Sequence, residues 1–277
     1  MIGTGMNSLS TPPATVARAA RFRPLAALVH PLTLRAVSFA IALLAWEIAG
    51  RWPVSPSFPP FSETATAFVA LLSDGSLLRA FGVTLTPLAI GLAVSGAVGV
   101  GIGVAMGLDE RVEWFGVPIF IVLQAAPLAA LVPILVMAYG IGLLTKVSIV
   151  CIMAMPVIVL NSFKAVRHAP RSLIEMGTSF LGTRAQIIRK IILPAATPVI
   201  FAGLRLGAAA GFVGAVLAEL LVTPTGIGDI ITYNQSIADY PKMYAAIAAI
   251  IMVSVGFIEI LGFVEQRFLR PETRRTA

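Results

Sequence analysis

Residues Ser172–Pro194 read SLIEMGTSFLGTRAQIIRKIILP, a polar, cation-bearing island in a chain that is otherwise almost all apolar. Two helix starts are written into it. Ser172-Leu-Ile-Glu175 has the S-x-x-E form and Thr183-Arg-Ala-Gln186 the T-x-x-Q form. Both are capping boxes, in which hydroxyl and acid or amide satisfy helix-end amides reciprocally. Gly182 lies between them, where a helix C-terminus favours a residue that tolerates the left-handed conformation. Two short helices meeting at a sharp corner are expected, the second ended by Pro194. A structured loop of this length between apolar segments points to a contact surface.

The rest of the chain sets the class. It is 58% hydrophobic and 12% charged, with 24 Gly and 19 Pro, which excludes an ordinary soluble enzyme. Ala80–Leu108 and Trp114–Thr145 carry no charge, and a bilayer crossing takes about 20 apolar residues. Six spans fit: Leu32–Gly50, Thr84–Gly107, Phe115–Gly140, Leu143–Phe163, Thr197–Val222 and Met243–Val264. The fold expected is an all-α polytopic membrane bundle, with the island as a two-helix loop between spans four and five. In the first span Arg35 has to snorkel, because only 15 residues separate it from Arg51. Pro53, Pro56, Pro59 and Pro60 give an extended crossing ahead of a surface helix near Glu63–Leu72. A disordered tail is expected over residues 1–31, a transmembrane domain over 32–270 and a short tail over 271–277. A true start at Met6 or later is an alternative to Met1.

In this arrangement fifteen Lys and Arg fall on one side and four (Arg51, Arg79, Lys146, Lys242) on the other, with Arg205 inside a span. The positive-inside rule then places both tails and the island in the cytoplasm. The net charge of +7 is a topology signal and not a nucleic-acid footprint, since no aromatic-basic face accompanies it.

Small residues recur every four positions in two spans: Gly91, Ser95, Gly99, Gly103, Gly107, and Gly203, Gly207, Gly211, Ala215. In lipid, close backbone approach through such residues holds helices together. They read either as fixed contacts of one bundle or as a sliding interface. Gly99–Gly103 (GVGIG) is no phosphate loop, because it lies mid-span and no Lys-Ser or Lys-Thr follows. One cysteine, Cys151, and two histidines leave no disulfide framework and no metal site. No catalytic constellation and no cofactor site is legible.

Glu175 followed nineteen residues later by Pro194, with Ile192-Leu193-Pro194 closing the run, resembles the EAA loop of permease subunits of ATP-binding-cassette importers. Lys164-Ala-Val-Arg167 before the loop, Gly203-Leu-Arg205 after it and Gly226-Ile-Gly228 beyond the fifth span match as well. The pattern is similar to the nitrate/sulfonate/taurine branch, over roughly Thr84–Arg270. Two departures stand out. The family's Glu-Ala-Ala is Glu175-Met176-Gly177 here. The family's glycine, six residues after the Glu, is Leu181, with Gly182 one later, so the corner is displaced or made differently. The resemblance implies a multi-pass protein of the bacterial cytoplasmic membrane. It also implies a second copy of the permease, a cytoplasmic ATPase dimer and an external solute-binding protein. The loop, carried by Ser172, Glu175, Gly177, Leu181, Gly182, Leu193 and Pro194, is then the element that couples to the ATPase. The cargo implied is a small anion such as an alkylsulfonate, taurine or nitrate; the branch also serves pyrimidine-type cargo.

Gln124, Pro127, Arg205 and Glu219 are candidates for the translocation path. Gln124 with Pro127 and Pro133 marks the third span as broken or kinked, and irregular backbone at membrane depth is tolerated where it lines protein or a watery path. Arg205 costs at least ~2.5 kcal/mol inside a span, and either snorkels or faces a cavity where it favours anions. Glu219 is expected as a solvated rim carboxylate. Glu259 either pairs with a neighbouring cation or sits near headgroups. A secondary transporter or channel is the competing class, with few intramembrane carboxylates and no internal repeat to support it.

Overall fold

Two long helices that run in the same direction fix the topology. The computed structural model describes residues 31–52, 55–222 and 225–269, and their regular structure is helical throughout. The expected tails fall outside those residues, apart from Pro31, which opens the first helix. The long apolar helices are α1 (Pro31–Arg51), α3 (Ser76–Leu108), α6 (Leu143–Arg167), α9 (Leu193–Leu221) and α11 (Tyr240–Leu269). Between α1 and α3 lies α2 (Phe61–Ser73), where a surface helix is expected; between α9 and α11 lies α10 (Gly226–Ser236).

A Cβ built on Gly91 would meet Val150 at 2.5 Å, one on Gly99 would meet Ile158 at 3.1 Å, and one on Gly107 would meet Val166 at 2.6 Å. The sequence offset is constant (150−91, 158−99 and 166−107 all equal 59), so α3 and α6 are parallel. The chain between them must therefore return across the bundle. It does so as α4 (Glu110–Ala125) and α5 (Leu128–Tyr139), bent by 100° at their junction. The third span is thus broken, not straight. Pro127 lacks an N–H and pushes Ala126 out of helical geometry, to φ −65°, ψ 132°. The start of α4 is pinned to the end of α6 by Arg167, which pairs with Glu110 (3.2 Å) and Glu113 (3.3 Å). Among the described residues five helices are long and apolar enough to cross a membrane, and six spans result when the bent pair counts as one.

The second glycine stripe also meets α6, in antiparallel sense. Gly203 faces Asn161, Gly207 faces Ile158 and Gly211 approaches Val150. Both stripes thus converge on one helix, whose Val150, Ile158 and Val159 are fully or almost fully buried. Glycine grooves on two helices receive β-branched ridges from the third, the tight contact that apolar surroundings require. α11 packs antiparallel on α9 through Phe212 and Phe257, whose ring centroids are 5.4 Å apart. α1 is peripheral. It is held at its end by the Trp46 indole N–H donating to the Pro59 carbonyl (3.1 Å) and by Glu47 accepting from the Ser62 amide (2.9 Å).

Candidate functional site

The island forms its corner with different residues from those its sequence nominates. α7 (Arg171–Ser179) starts two residues earlier than the Ser172 box requires. Pro170 occupies the N-cap and offers no side-chain acceptor, so Ser172 lies inside the first turn and the Ser172–Glu175 box does not form. The Glu175 side chain is exposed instead, while its backbone carbonyl accepts from the Thr178 and Ser179 hydroxyls.

The C-terminus of α7 is a Schellman turn. The Gly182 N–H donates to the Gly177 carbonyl (3.0 Å) and the Leu181 N–H to the Thr178 carbonyl (2.9 Å). The left-handed residue is Leu181, at φ +55°, and not Gly182. The corner therefore stays six residues after the Glu even though a leucine stands there. Gly182 is needed for room: a Cβ on it would lie 2.8 Å from the Gly177 carbonyl oxygen.

The second box is formed as expected. The Gln186 side chain accepts from the Thr183 N–H (2.9 Å) and the Thr183 hydroxyl accepts from the Gln186 N–H (3.4 Å), opening α8 (Arg184–Ile187). Pro194 does not end this helix. A π-helical turn at Ile188–Ile192, with the Leu193 N–H reaching the Ile188 carbonyl, carries it into α9. Proline is tolerated there because it follows directly on the π-helical turn, where the regular i→i−4 ladder is already interrupted. Arg184–Leu221 is in consequence one helical run of 38 residues.

α7 rests on this run through Gly177, whose Cβ would meet Ile191 at 2.6 Å. No residue of α7 is buried. Met176, Phe180 (81% exposed) and Leu181 (91% exposed) present apolar surface to solvent. Behind the loop a cleft of about 960 Å³ opens between it and the α3–α4 corner, lined by Leu108, Arg167, Arg171, Arg184 and Ile192 among others.

The four path candidates are not brought together. Gln124 and Pro127 are exposed on either side of the α4–α5 break. Arg205 is half-buried and pairs with Glu265 of α11 at 3.7 Å; Glu259 is exposed. Glu219, fourteen residues further along α9, is 1% exposed and so is no solvated rim residue. Its Oε2 accepts from the Thr84 hydroxyl (3.1 Å) and the Gly228 N–H (3.0 Å). The Thr84 hydroxyl oxygen in turn accepts from the Ile227 N–H (3.0 Å), and the buried Lys146 ammonium donates to the Thr225 hydroxyl. Thr84 and Lys146 carry no local signal in the sequence; only the packing of α3 and α6 against α9 brings them to Glu219.

Residues 97–274 match the family described as binding-protein-dependent transport system inner membrane component. The chain belongs to this family. It is a multi-pass inner-membrane permease of an ATP-binding-cassette importer, a transport component with no catalytic role of its own. The permease is 31% identical over 155 residues to the riboflavin transport system permease protein RibX of Chloroflexus aurantiacus. That match covers 56% of this chain and 58% of RibX, less than two thirds of the relative. It is 26% identical to the taurine transport system permease protein TauC of Escherichia coli, over 90% of each chain. Its fold is similar to a chain of the MetNI methionine transporter in an inward-facing crystal form, with TM-score 0.57 and 20% identity over 70% of this permease and 94% of that chain.

Proposed function

We propose that this permease, paired with a second copy, forms the path for a small anionic solute of the sulfonate, taurine or nitrate type. An external binding protein delivers the solute, and a separate cytoplasmic ATPase dimer drives its passage. In this reading the Arg171–Ile187 loop is cytoplasmic, as are both chain ends, and the ATPase docks on it. One observation carries the assignment: α7 buries none of its residues, yet the corner exposes Phe180 and Leu181 on a rigid Schellman turn. A helix so placed gains its apolar burial from a partner. The likeness to a taurine permease over 90% of each chain supports the anionic cargo. The likeness to RibX over part of the chain favours a flat heterocycle as the second reading.

The test is reconstitution of the permease with its cognate ATPase and binding protein. Stimulation of ATP hydrolysis by the binding protein is measured with taurine, nitrate or riboflavin. Phe180→Asp should abolish the stimulation while the permease remains inserted. Stimulation that survives this change refutes docking at the corner, and stimulation by riboflavin alone selects the second reading.

A further inference from the structure

We propose that Glu219 is a latch that holds α10 shut across the end of the bundle opposite the loop, and that α10 is the moving part of a gate there. The first turn of a helix leaves backbone N–H groups without intrahelical partners. α10 has Thr225 at its N-cap, but the Thr225 side chain makes no cap bond. Two of the free amides are taken by other helices instead. The Gly228 N–H donates to Glu219 of α9, and the Ile227 N–H to the hydroxyl oxygen of Thr84 on α3. Lys146 of α6 holds Thr225 itself. A carboxylate at a helix N-terminus is electrostatically favoured, so α10 is capped from outside by the three helices that surround the glycine stripes.

The fit leaves no room for a side chain at two glycines of α10. A Cβ on Gly228 would lie 2.5 Å from the Glu219 Cβ. Gly226, at φ +64°, has Glu219 Oε1 at 2.4 Å from where its Cβ would be. The other end of α10 is strained. Ala238 adopts φ +58°, held by the Asp239 N–H donating to the Asn234 carbonyl (2.9 Å). A helix capped by foreign side chains at one end and turned on a disfavoured residue at the other keeps its place while the cap lasts. Glu219 lies two residues from the end of the helical run that begins at Arg184. Motion imposed on the loop reaches the latch through this run; this last step rests on the docking proposed above, whereas the latch does not.

The test uses the purified permease alone, in detergent. On a Cys151→Ser background, Ile227→Cys places a thiol at a position with 0% exposure. Its labelling rate with a charged maleimide is measured. E219A should raise the rate about tenfold, since a buried amide left without an acceptor costs enough to open the contact to that degree. T84V, which keeps the side-chain shape and removes the Ile227 acceptor, should act in the same direction. E219Q, which keeps an acceptor for Gly228, should stay near the parent. A control thiol at Met153→Cys, on the α6–α9 contact, should not change. If E219A does not reach the membrane, T84V reads the same outcome. Unchanged labelling at 227, or an equal rise at the control position, overturns the latch. Because no ATPase is present, neither result depends on the loop reading.

Discussion

Among the described residues the permease turns twice on a left-handed residue that is not glycine, at Leu181 on the loop side and at Ala238 on the far side. Both turns close with an N–H reaching back five residues, Gly182 to Gly177 and Asp239 to Asn234. Their surroundings differ. The helix before Ala238 is finished by its own chain: Ile227 and Ile231 join the far-side core with Leu77, Phe212 and Ala245, and Glu219 caps its start. In the helix before Leu181 no residue is buried, and only Ile174 and Gly177 are half-buried. One corner is internally satisfied and the other presents its apolar residues outward. The same backbone device thus serves a gate in one place and, in our reading, a docking surface in the other.

The strongest way to break this comparison is to add side chains at the two close approaches. Gly228→Leu forces atoms into Glu219 and removes the α10 cap. Overpacking and a buried unsatisfied amide together should cost about 3 kcal/mol or more. Gly182→Val meets the Gly177 carbonyl at 2.8 Å and the Ile187 side chain at an ordinary 3.5 Å, in a corner with exposed neighbours, and should cost about 1–2 kcal/mol. In the assembled importer Gly182→Val should still uncouple transport from hydrolysis, because the corner aims α7. Thermal unfolding in detergent ranks the two. An equal or reversed order would mean that the loop is as tightly packed as the far side.

Next in size is the cap at Thr183. Thr183→Ala removes the acceptor for the Gln186 N–H and should lower stability by about 1 kcal/mol. The change is local, so labelling of a thiol at residue 227 should not respond to it. A response there would mean that the Thr183 cap and the α10 latch are energetically coupled even in the isolated permease.

A smaller effect of opposite sign is expected at Leu181. A left-handed non-glycine residue costs about 1–2 kcal/mol, and glycine gives part of that back as chain entropy. Leu181→Gly should therefore stabilise the isolated permease by roughly 0.5–1 kcal/mol. It also deletes an exposed apolar side chain, so ATPase affinity should fall as stability rises. A variant more stable yet equally well coupled would show that Leu181 is not a contact.

These differences follow what was legible in the sequence. The Thr183–Gln186 box is a four-residue pattern, and it formed as written. The apolar segments and the two glycine stripes are periodic along single helices and were also readable. Their common target, α6, was not, because its Val and Ile carry no period that separates a buried ridge from a lipid-facing one. Glu219 read as a rim residue because a carboxylate near a span end is ordinarily solvated. Its burial depends on Thr84, 135 positions away, and on an amide from α10. The corner lies one residue before Gly182 because the turn geometry puts Leu181, and not the glycine a sequence favours there, in the left-handed conformation.

The smallest stability effect is expected at Glu175, and for that reason it is the sharpest probe. A capping role would make Glu175→Ala cost about 1 kcal/mol. Pro170 holds the cap position instead, and the Glu175 carboxylate is exposed. Substitution at an exposed site without such a role shifts stability by no more than about 0.5 kcal/mol. The melting temperature of the isolated permease should therefore not move. If stimulation of ATP hydrolysis by the loaded binding protein nevertheless falls, the lost free energy belongs to a contact with the ATPase and not to the fold of the loop. A clear drop in melting temperature would instead return Glu175 to a structural role. The contrast between a self-completed corner and an outward-facing one would then lose its best-isolated residue.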